Sequence, residues 1–414
     1  MRTDIAVAGG GASGMMAAVC AAREAPDARV AVLERMNRVG KKLTATGNGR
    51  CNLTNINACD ADYHGDAHRA QRVLSAYPPE SVMRFFASIG VQPRVEEGGR
   101  VYPASEQASS VLDALRLSLR EAGGEEIVGF ELSGIEREAD GFSLRAADGR
   151  AVYARRVIMA TGGLTAPSLG GSESGLRILR ALGHATSELY PALVQVRIEA
   201  ESIRALKGIR FDGRAAIEAG GAERRSEAGE ILFTDYGLSG IPIMQLSRVV
   251  SEACARGQEV FIRLSVLEGG AEDAARLLTK RRADIGARML DNFLTGLVSK
   301  RLGQTLVKLA LGAGQGLFGR PASSLTDREL AALAGHLTDW RLRVLGTLGF
   351  DQAQVTAGGV RGGEFDPGTL ESTRSPGLYL TGELIDIDGD CGGFNLQWAW
   401  ASGMAAGFAC ARSL

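Results

Sequence analysis

The sequence predicts an α/β fold in which a βαβ unit opens the chain and a strand-then-helix segment interrupts it. Three observations carry this reading. Asp4 to Ala8 and Arg29 to Leu33 are short apolar runs flanking an Ala- and Met-rich helical stretch, Met15 to Glu24, which is strand, helix and strand within about 30 residues. Apolar runs end in glycine clusters at Gly9-Gly10-Gly11 and at Thr161-Gly162-Gly163. Near Pro191 the texture changes, and an insertion of about 150 residues follows.

Arg38 to Asn55 is polar and rich in Gly, Asn and Thr, a long loop of the kind compact domains keep for function. Glu80 to Ile89 and Ser109 to Ala122 read as helices, the second with Leu112, Leu115 and Leu119 on one face. From Glu126 to Tyr153 the period becomes two, with turns at Asp140-Gly141 and Asp148-Gly149, which predicts a β-meander. Arg156 to Ala160 is a further strand. Leu193 to Ile198, Ala215 to Glu218, Glu230 to Thr234 and Val260 to Leu264 read as strands. Glu272 to Leu311 reads as almost wholly helical, with another helix after a cap at Thr326-Asp327. Tyr379 to Thr381 returns to strand, Gly382 to Gly393 is loop, and Asn395 to Arg412 is a helix with Trp398 and Trp400 in the core.

Composition narrows the function classes. With 414 residues, Lys+Arg 47 against Asp+Glu 48 and a net charge of -1, the chain is not a polycation made to coat nucleic acid. Six cysteines without a CxxC pair do not read as a disulfide framework. Four scattered histidines predict no metal site; His64 and His68 suit a loop. The apolar stretch from Ile5 to Ala22 follows Asp4 and is broken by the cluster Gly9-Gly10-Gly11, unlike a signal peptide, and no run reaches the roughly 18 apolar residues of a membrane span. A cytoplasmic protein is expected.

Gly9, Gly11 and Gly14 form G-x-G-x-x-G between strand and helix, and Glu34 stands 20 residues after Gly14. Gly9 permits the turn, Gly11 lets backbone amides reach a pyrophosphate, and Gly14 allows close helix–strand packing, while Glu34 can accept hydrogen bonds from a ribose diol. The helix N-terminus adds partial positive charge. A literal second copy at Gly314, Gly316 and Gly319 follows a helical run and reads as a helix break. The distant C-terminal set Thr381-Gly382-Glu383, Asp386, Asp388 and Gly392-Gly393-Phe394-Asn395 precedes a helix. Its acids can hold ribityl or pyrophosphate-side hydroxyls, and the helix N-terminus can stabilise negative charge on a reduced ring, so FAD is preferred to NAD.

The blocks Gly40-Lys41-Lys42-Leu43 with Thr46-Gly47-Asn48-Gly49-Arg50-Cys51-Asn52-Leu53-Thr54-Asn55, Phe233 to Gly240, Val355 to Val360, and Gly382 to Gln397 carry a resemblance over the entire chain. The sequence resembles the bacterial HI-type NAD(P)/FAD-dependent oxidoreductase flavoprotein family. Relatives reduce a uridine in ribosomal RNA to dihydrouridine, or a conjugated double bond in bile-acid intermediates. Asp235 stands where many relatives have His, and Phe394 where many have Tyr. The resemblance implies a split Rossmann-type (GR2-like) FAD-binding domain, residues 1–190 and 350–414. It also implies an inserted β-barrel-like substrate domain, 191–270, carrying a helical subdomain, 271–349.

The cofactor-binding set follows from motif and resemblance together. Gly9, Gly11, Ala12, Ser13 and Gly14, with Glu34, Arg35 and Val128, form the first half. Lys42, Thr46, Gly47, Asn48, Gly49 and Asn52 join them from the loop that lines the ring, and Ala160, Thr161, Gly162 and Gly163 from the strand end. The C-terminal part is Gly382, Glu383, Asp386, Gly393, Phe394, Asn395 and Leu396. Cys51 and Arg50 are the candidate catalytic pair: Arg50 as a cation, Cys51 as a proton donor or as a small buried thiol. Cys391, beside Gly392, invites a redox pair with Cys51.

The expected reaction passes hydride from NADH or NADPH through FAD to a carbon–carbon double bond. No separate nicotinamide fold is visible, so the donor would use the substrate cleft transiently. Between Asp273 and Lys308, eight basic residues (Arg276, Lys280, Arg281, Arg282, Arg288, Lys300, Arg301, Lys308) face three acids, a surface able to track RNA phosphates. Because that subdomain is basic and lacks an aromatic cluster, ribosomal RNA uracil is favoured over a steroid or other small conjugated metabolite. The alternatives are a flavin oxidase or dehydrogenase acting on a metabolite, and a non-catalytic flavin-containing RNA- or protein-binding module. No dimer seam is evident.

Overall fold

The computed structural model describes residues 1–199 and 203–414, which fall into two compact units, Met1–Tyr190 with Gln354–Leu414 and Pro191–Ala353. In the first unit the strand Arg2–Ala8 lies mid-sheet, parallel to Val30–Glu34 on one side and to Ala151–Met159 on the other. The long strand Ala151–Met159 serves two partners. Its first half pairs antiparallel with Gly141–Ala146, and its end, Val157 to Met159, pairs parallel with Leu378–Leu380. A strand from the far end of the chain thus joins the N-terminal sheet.

The meander is shorter than the alternation suggests. Glu125–Val128 leaves it and runs parallel to Val30–Glu34 at the other end of the sheet. Gly129 turns the chain there and donates its amide to the Met36 carbonyl (2.9 Å). The polar segment from Arg38 to Asn55 is also not all loop: a left-handed Gly40 starts a helix, Lys41–Ala45, anchored by buried Leu43.

Helix Ala12–Glu24 buries ten of its residues and packs on the C-terminal helix Phe394–Arg412. Gly403 and Gly407 make this close approach possible. A Cβ at either position would run into the Ser13 or Ala17 carbonyl of the facing helix. Trp398 and Trp400 are 2% and 0% exposed, and each donates its indole N–H to a backbone carbonyl, Gly382 (3.1 Å) and Leu53 (2.9 Å) respectively. Both are core residues that also fix loops of the site.

The second unit is a closed six-stranded barrel. Arg210–Ala219 and Ala222–Phe233 form its long hairpin, and Val260–Ser265 pairs with both Arg210–Ala219 and Trp340–Thr347. That last strand corrects the expected helical subdomain, whose final residues belong to the barrel; alternate residues from Trp340 to Val344 point inward. Phe233 fills the core against Phe211 (5.5 Å) and Trp340 (5.7 Å). The predicted long helix is broken into Ala271–Ile285 and Lys300–Leu311. Left-handed Gly296 lies between them, and Arg281 donates to the carbonyls of Phe293 and Thr295 there. The predicted cap at Thr326 forms, and the structure makes it a capping box, with Glu329 N–H donating to Thr326 Oγ1 (3.2 Å) and Thr326 N–H to Glu329 Oε2 (2.8 Å). Among the described residues no helix is long and apolar enough to cross a membrane.

Candidate active site

The site begins where strand Arg2–Ala8 ends. Gly9 has φ +110°, and a Cβ there would strike the Ala160 carbonyl oxygen at the end of the neighbouring strand. A Cβ on Gly14 would strike the Gly9 carbonyl. Both glycines are therefore required by backbone contact. Gly11 differs: nothing lies within 4 Å of its added Cβ. It caps helix Ala12–Glu24 without a side-chain hydrogen bond, and the first turn carries no acid. Such an open helix start, with its donors unspent, suits an anion.

Glu34 is buried and accepts from the Gly10 amide and the Met36 amide, each at 2.8 Å. Val128 pairs in register with Glu34 and is 39% exposed, an apolar surface beside that carboxylate. Arg35 points elsewhere, donating to the Gly171 carbonyl (3.4 Å).

The C-terminal part reaches the same turn. Gly382 has φ +66°, and a Cβ there would lie 2.5 Å from Ser13 Oγ in the first helical turn. The Gly382 amide donates to Ser402 Oγ (3.0 Å). Next to it, Lys42 Nζ donates to Glu383 Oε2 (2.7 Å) and to Thr165 Oγ1 (2.6 Å). Thr165 Oγ1 (3.1 Å) and the Thr356 amide (2.7 Å) donate to Glu383 Oε1. Burial alone would raise the Glu383 carboxyl, but the Lys42 charge and these hydrogen bonds hold it below the ordinary carboxylate range. Gly163 sits against this cluster, where a Cβ would meet Thr356 and Glu383. Thr165, Thr356 and Ser402 were not legible as site residues, because their partners are distant in sequence.

The loop from Thr46 to Asn55 is folded tightly. Gly47, Asn48, Gly49 and Cys51 all have left-handed backbone, with φ between 55° and 85°, a conformation that costs a non-glycine residue of order 1–3 kcal/mol. Cys51 is fully buried, and burial pushes its thiol up to about 12, against the opposing Thr46 contact. Arg50 is turned onto Glu96 (2.6 Å) and Glu106 (3.6 Å), with its guanidinium 4.0 Å above the Tyr102 ring. These contacts join the loop to Glu96, Tyr102 and Glu106. Gly393 starts helix Phe394–Arg412, and a Cβ on it would lie 2.9 Å from Asn52 Oδ1. The loop and this second helix N-terminus are thus in contact.

Of the remaining predicted residues, Asn395 is spent on Gly389, accepting from its amide (2.9 Å) and donating to its carbonyl (2.7 Å). The Asp386 carbonyl accepts from the Asp66 amide (2.7 Å). Phe394 is buried edge-on to Tyr63, and Leu396 packs on the core. No disulfide joins Cys51 and Cys391.

The residues present fit a dinucleotide. Two long helices, starting at Gly11 and Gly393, lack side-chain caps and first-turn acids. Asn52 Oδ1, Thr161 Oγ1 and Thr381 Oγ1 are buried oxygens with no hydrogen-bond partner within the protein, which normally signals a missing partner. The fold and these features define a Rossmann-type flavoprotein oxidoreductase.

The particular family follows from comparison with known proteins. The family model described as HI0933-like protein Rossmann domain matches residues 3–409, and the chain belongs to that family. It is 42% identical over 411 residues to the 3-dehydro-bile acid delta(4,6)-reductase of Clostridium scindens, covering 99% of each chain. It is 28% identical over 417 residues to the ribosomal RNA dihydrouridine synthase of Escherichia coli, covering 100% of this chain and 98% of that one. The 3-ketosteroid delta1-dehydrogenase of Sterolibacterium denitrificans has a similar fold, with a TM-score of 0.50 at 15% identity over 100% of both chains.

Proposed function

We propose that the protein is an FAD-dependent reductase that uses NADH or NADPH to saturate the carbon–carbon double bond of a small conjugated ketone. The observation that carries this reading is the pair of uncapped, glycine-led helix starts at Gly11 and Gly393, linked by the Ser13–Gly382 contact and by the Asn52 loop. When bound, FAD accepts hydride from the nicotinamide and returns it to the substrate carbon. The chain's own residues bind and orient it. Amides of Ala12 and Ser13 would take the pyrophosphate, Glu34 the ribose diol, and Val128 the adenine edge. The Asn52 Oδ1 acceptor and the Gly393 helix start would hold the ring, the helix start favouring the reduced, negatively charged form. Lys42 and Glu383 would keep the Gly163 and Gly382 turns in register at the cofactor's centre.

The choice of a small ketone over RNA rests on where the basic run is spent. Arg276 pairs with Asp273, Arg282 with Asp327 (2.8 Å) and the Leu325 carbonyl, and Arg301 with the Ala205 carbonyl. Arg281 holds the Phe293 and Thr295 carbonyls, and Lys308 lies over the Phe318 ring (5.2 Å). Cations used this way inside their own unit are poorly placed to neutralise phosphates. The bile-acid relative, at 42% identity, supports the same choice. Ribosomal RNA uracil is the second reading, supported by the full-length match to the E. coli synthase.

Anaerobic addition of NADPH or NADH to the FAD-loaded protein tests the reading: the oxidised flavin band should bleach. A 3-oxo-4,6-dienoic bile acid should then restore it. A band that persists with both nicotinamides rejects the reductase. A loss of dihydrouridine from ribosomal RNA in a strain lacking the gene, restored by the intact gene, would instead select the RNA reading.

A further inference from the structure

We propose that His64 is the proton donor of this reduction and that Asp390 positions it; the inference rests on the reductase reading above. His64 Nε2 lies 2.8 Å from Asp390 Oδ1, with the two side chains 24% and 12% exposed, enough contact with solvent to replace a lost proton. The pair joins two short antiparallel strands, Tyr63–Gly65 and Ile387–Gly389. This ladder is tied to the second glycine-led helix start at several points. Tyr63 Oη donates to the Phe394 carbonyl (3.3 Å), and Asn395 Nδ2 donates to the carbonyls of Gly389 (2.7 Å) and Asp390 (3.3 Å). Asn55, from the loop that carries Asn52, donates to the Gly392 carbonyl (3.1 Å). The His64–Asp390 pair is therefore fixed beside the helix start and the loop that would hold the flavin ring.

Four other proton carriers of the site are poorly suited. Cys51 is buried with its thiol pushed to about 12. Burial also raises Tyr63, whose hydroxyl is spent on Phe394. Lys42 is engaged by Glu383 and Thr165, and Glu383 is held ionised. Imidazole is the side chain suited to proton exchange in the neutral range, and a carboxylate partner orients it. In the balanced step, hydride carries two electrons from the reduced flavin and forms a C–H bond at one alkene carbon. The π pair passes through the conjugated ketone as an enolate, and the other carbon takes a proton from His64. The flavin ends oxidised, and His64 recovers its proton from water.

The test separates this role from the reading beneath it. Holoenzyme is reduced with dithionite without oxygen, then mixed with a 3-oxo-4,6-dienoic bile acid. His64→Asn, matched for FAD content, should reoxidise at least ~100-fold more slowly than wild type, and imidazole should restore part of the rate to His64→Ala. A His64→Asn protein that keeps pace with wild type overturns the proposal alone. A wild type that does not reoxidise overturns the proposal and the reading together. Independently of turnover, adding the dienone to oxidised enzyme should move the His64 imidazole 15N signals, identified among four histidines by their absence in His64→Asn. Unmoved signals also overturn it.

Discussion

Lys42 Nζ lies 2.7 Å from Glu383 Oε2, an ion pair between residues 341 positions apart. It ties the short helix after the first glycine turn to the strand end that returns from the C-terminus. Both side chains are at most a third exposed, so removing one partner strands a charge in a poorly solvated place. Lys42→Met should destabilise the FAD-free protein by ~1–3 kcal/mol at pH 7, read by urea unfolding. The pH dependence has a defined sign. Glu383 is held below its ordinary value, so its contribution is full above the ordinary carboxylate range and is lost as pH falls through the folded value. The gap between wild type and variant should narrow as the medium is acidified, and a gap that widens would contradict the pairing.

The glycine turn offers a test that separates folding from ligand binding. Gly14→Ala drives a methyl into the Gly9 carbonyl and should cost about 1–3 kcal/mol of stability. Gly11→Ala meets open space and has an ordinary φ of -77°, so its melting temperature should stay close to wild type. If Gly11 faces the pyrophosphate, however, its FAD affinity should fall at least ~10-fold, about 1.4 kcal/mol. A thermal scan of the apoproteins measures the first effect, and calorimetric titration of FAD into them measures the second.

Glu34 binds two backbone amides, Gly10 and Met36. Glu34→Ala leaves the buried Gly10 amide and the part-buried Met36 amide unpaired, at about 1–3 kcal/mol for the buried one, whereas Glu34→Gln keeps one acceptor and should fall between. A thermal scan of the three apoproteins should rank them wild type, Gln, Ala.

The order of legibility follows the range of the interactions. The turn at Gly9 and the close packing at Gly14 could be read because strand, turn, helix and acid lie close together in the chain, whereas the Ala160 carbonyl that also demands Gly9 lies far away in sequence. The hairpin Arg210–Ala219 with Ala222–Phe233 was visible only in fragments, because its strands extend past their apolar stretches. Trp340–Thr347 was hidden behind three helices, although its alternation is plain once its partner Val260–Ser265 is known. The Lys42–Glu383 and His64–Asp390 pairs could not be read at all: each joins residues more than 300 positions apart, and neither carries a local spacing. The partners of Arg50 were hidden in the same way. Its place in a distinctive loop suggested chemistry, and the structure turns it onto Glu96, Glu106 and Tyr102.

Cys51 should be chemically silent. A thiol raised to about 12 and fully buried has almost no thiolate at pH 8, and thiolate is the reactive form. Iodoacetamide should label exposed Cys59 in the native protein and Cys51 only after unfolding, as peptide mass spectrometry would show. Fast native labelling of Cys51 would mean that the loop opens.

The arginines of the helical segment give the last prediction. Arg281 Nε donates to the Phe293 carbonyl (2.5 Å), and Arg282 bonds the Leu325 carbonyl (2.6 Å) and Asp327 (2.8 Å). Burial lowers the Arg281 guanidinium from its ordinary value, as expected of a cation held against the protein. Replacing either by Gln removes charge-assisted hydrogen bonds worth about 1.5–3 kcal/mol each before solvent screening. If their role is internal, Arg281→Gln and Arg282→Gln should lower the midpoint of urea unfolding and leave the affinity for a ribosomal RNA fragment, and its salt slope, unchanged. If they instead contact phosphates, each loss should reduce the salt slope by about 1 while stability holds. Measuring unfolding and RNA binding on the same two variants decides between a small-molecule enzyme whose cations brace its own helices and an enzyme that grips RNA through them.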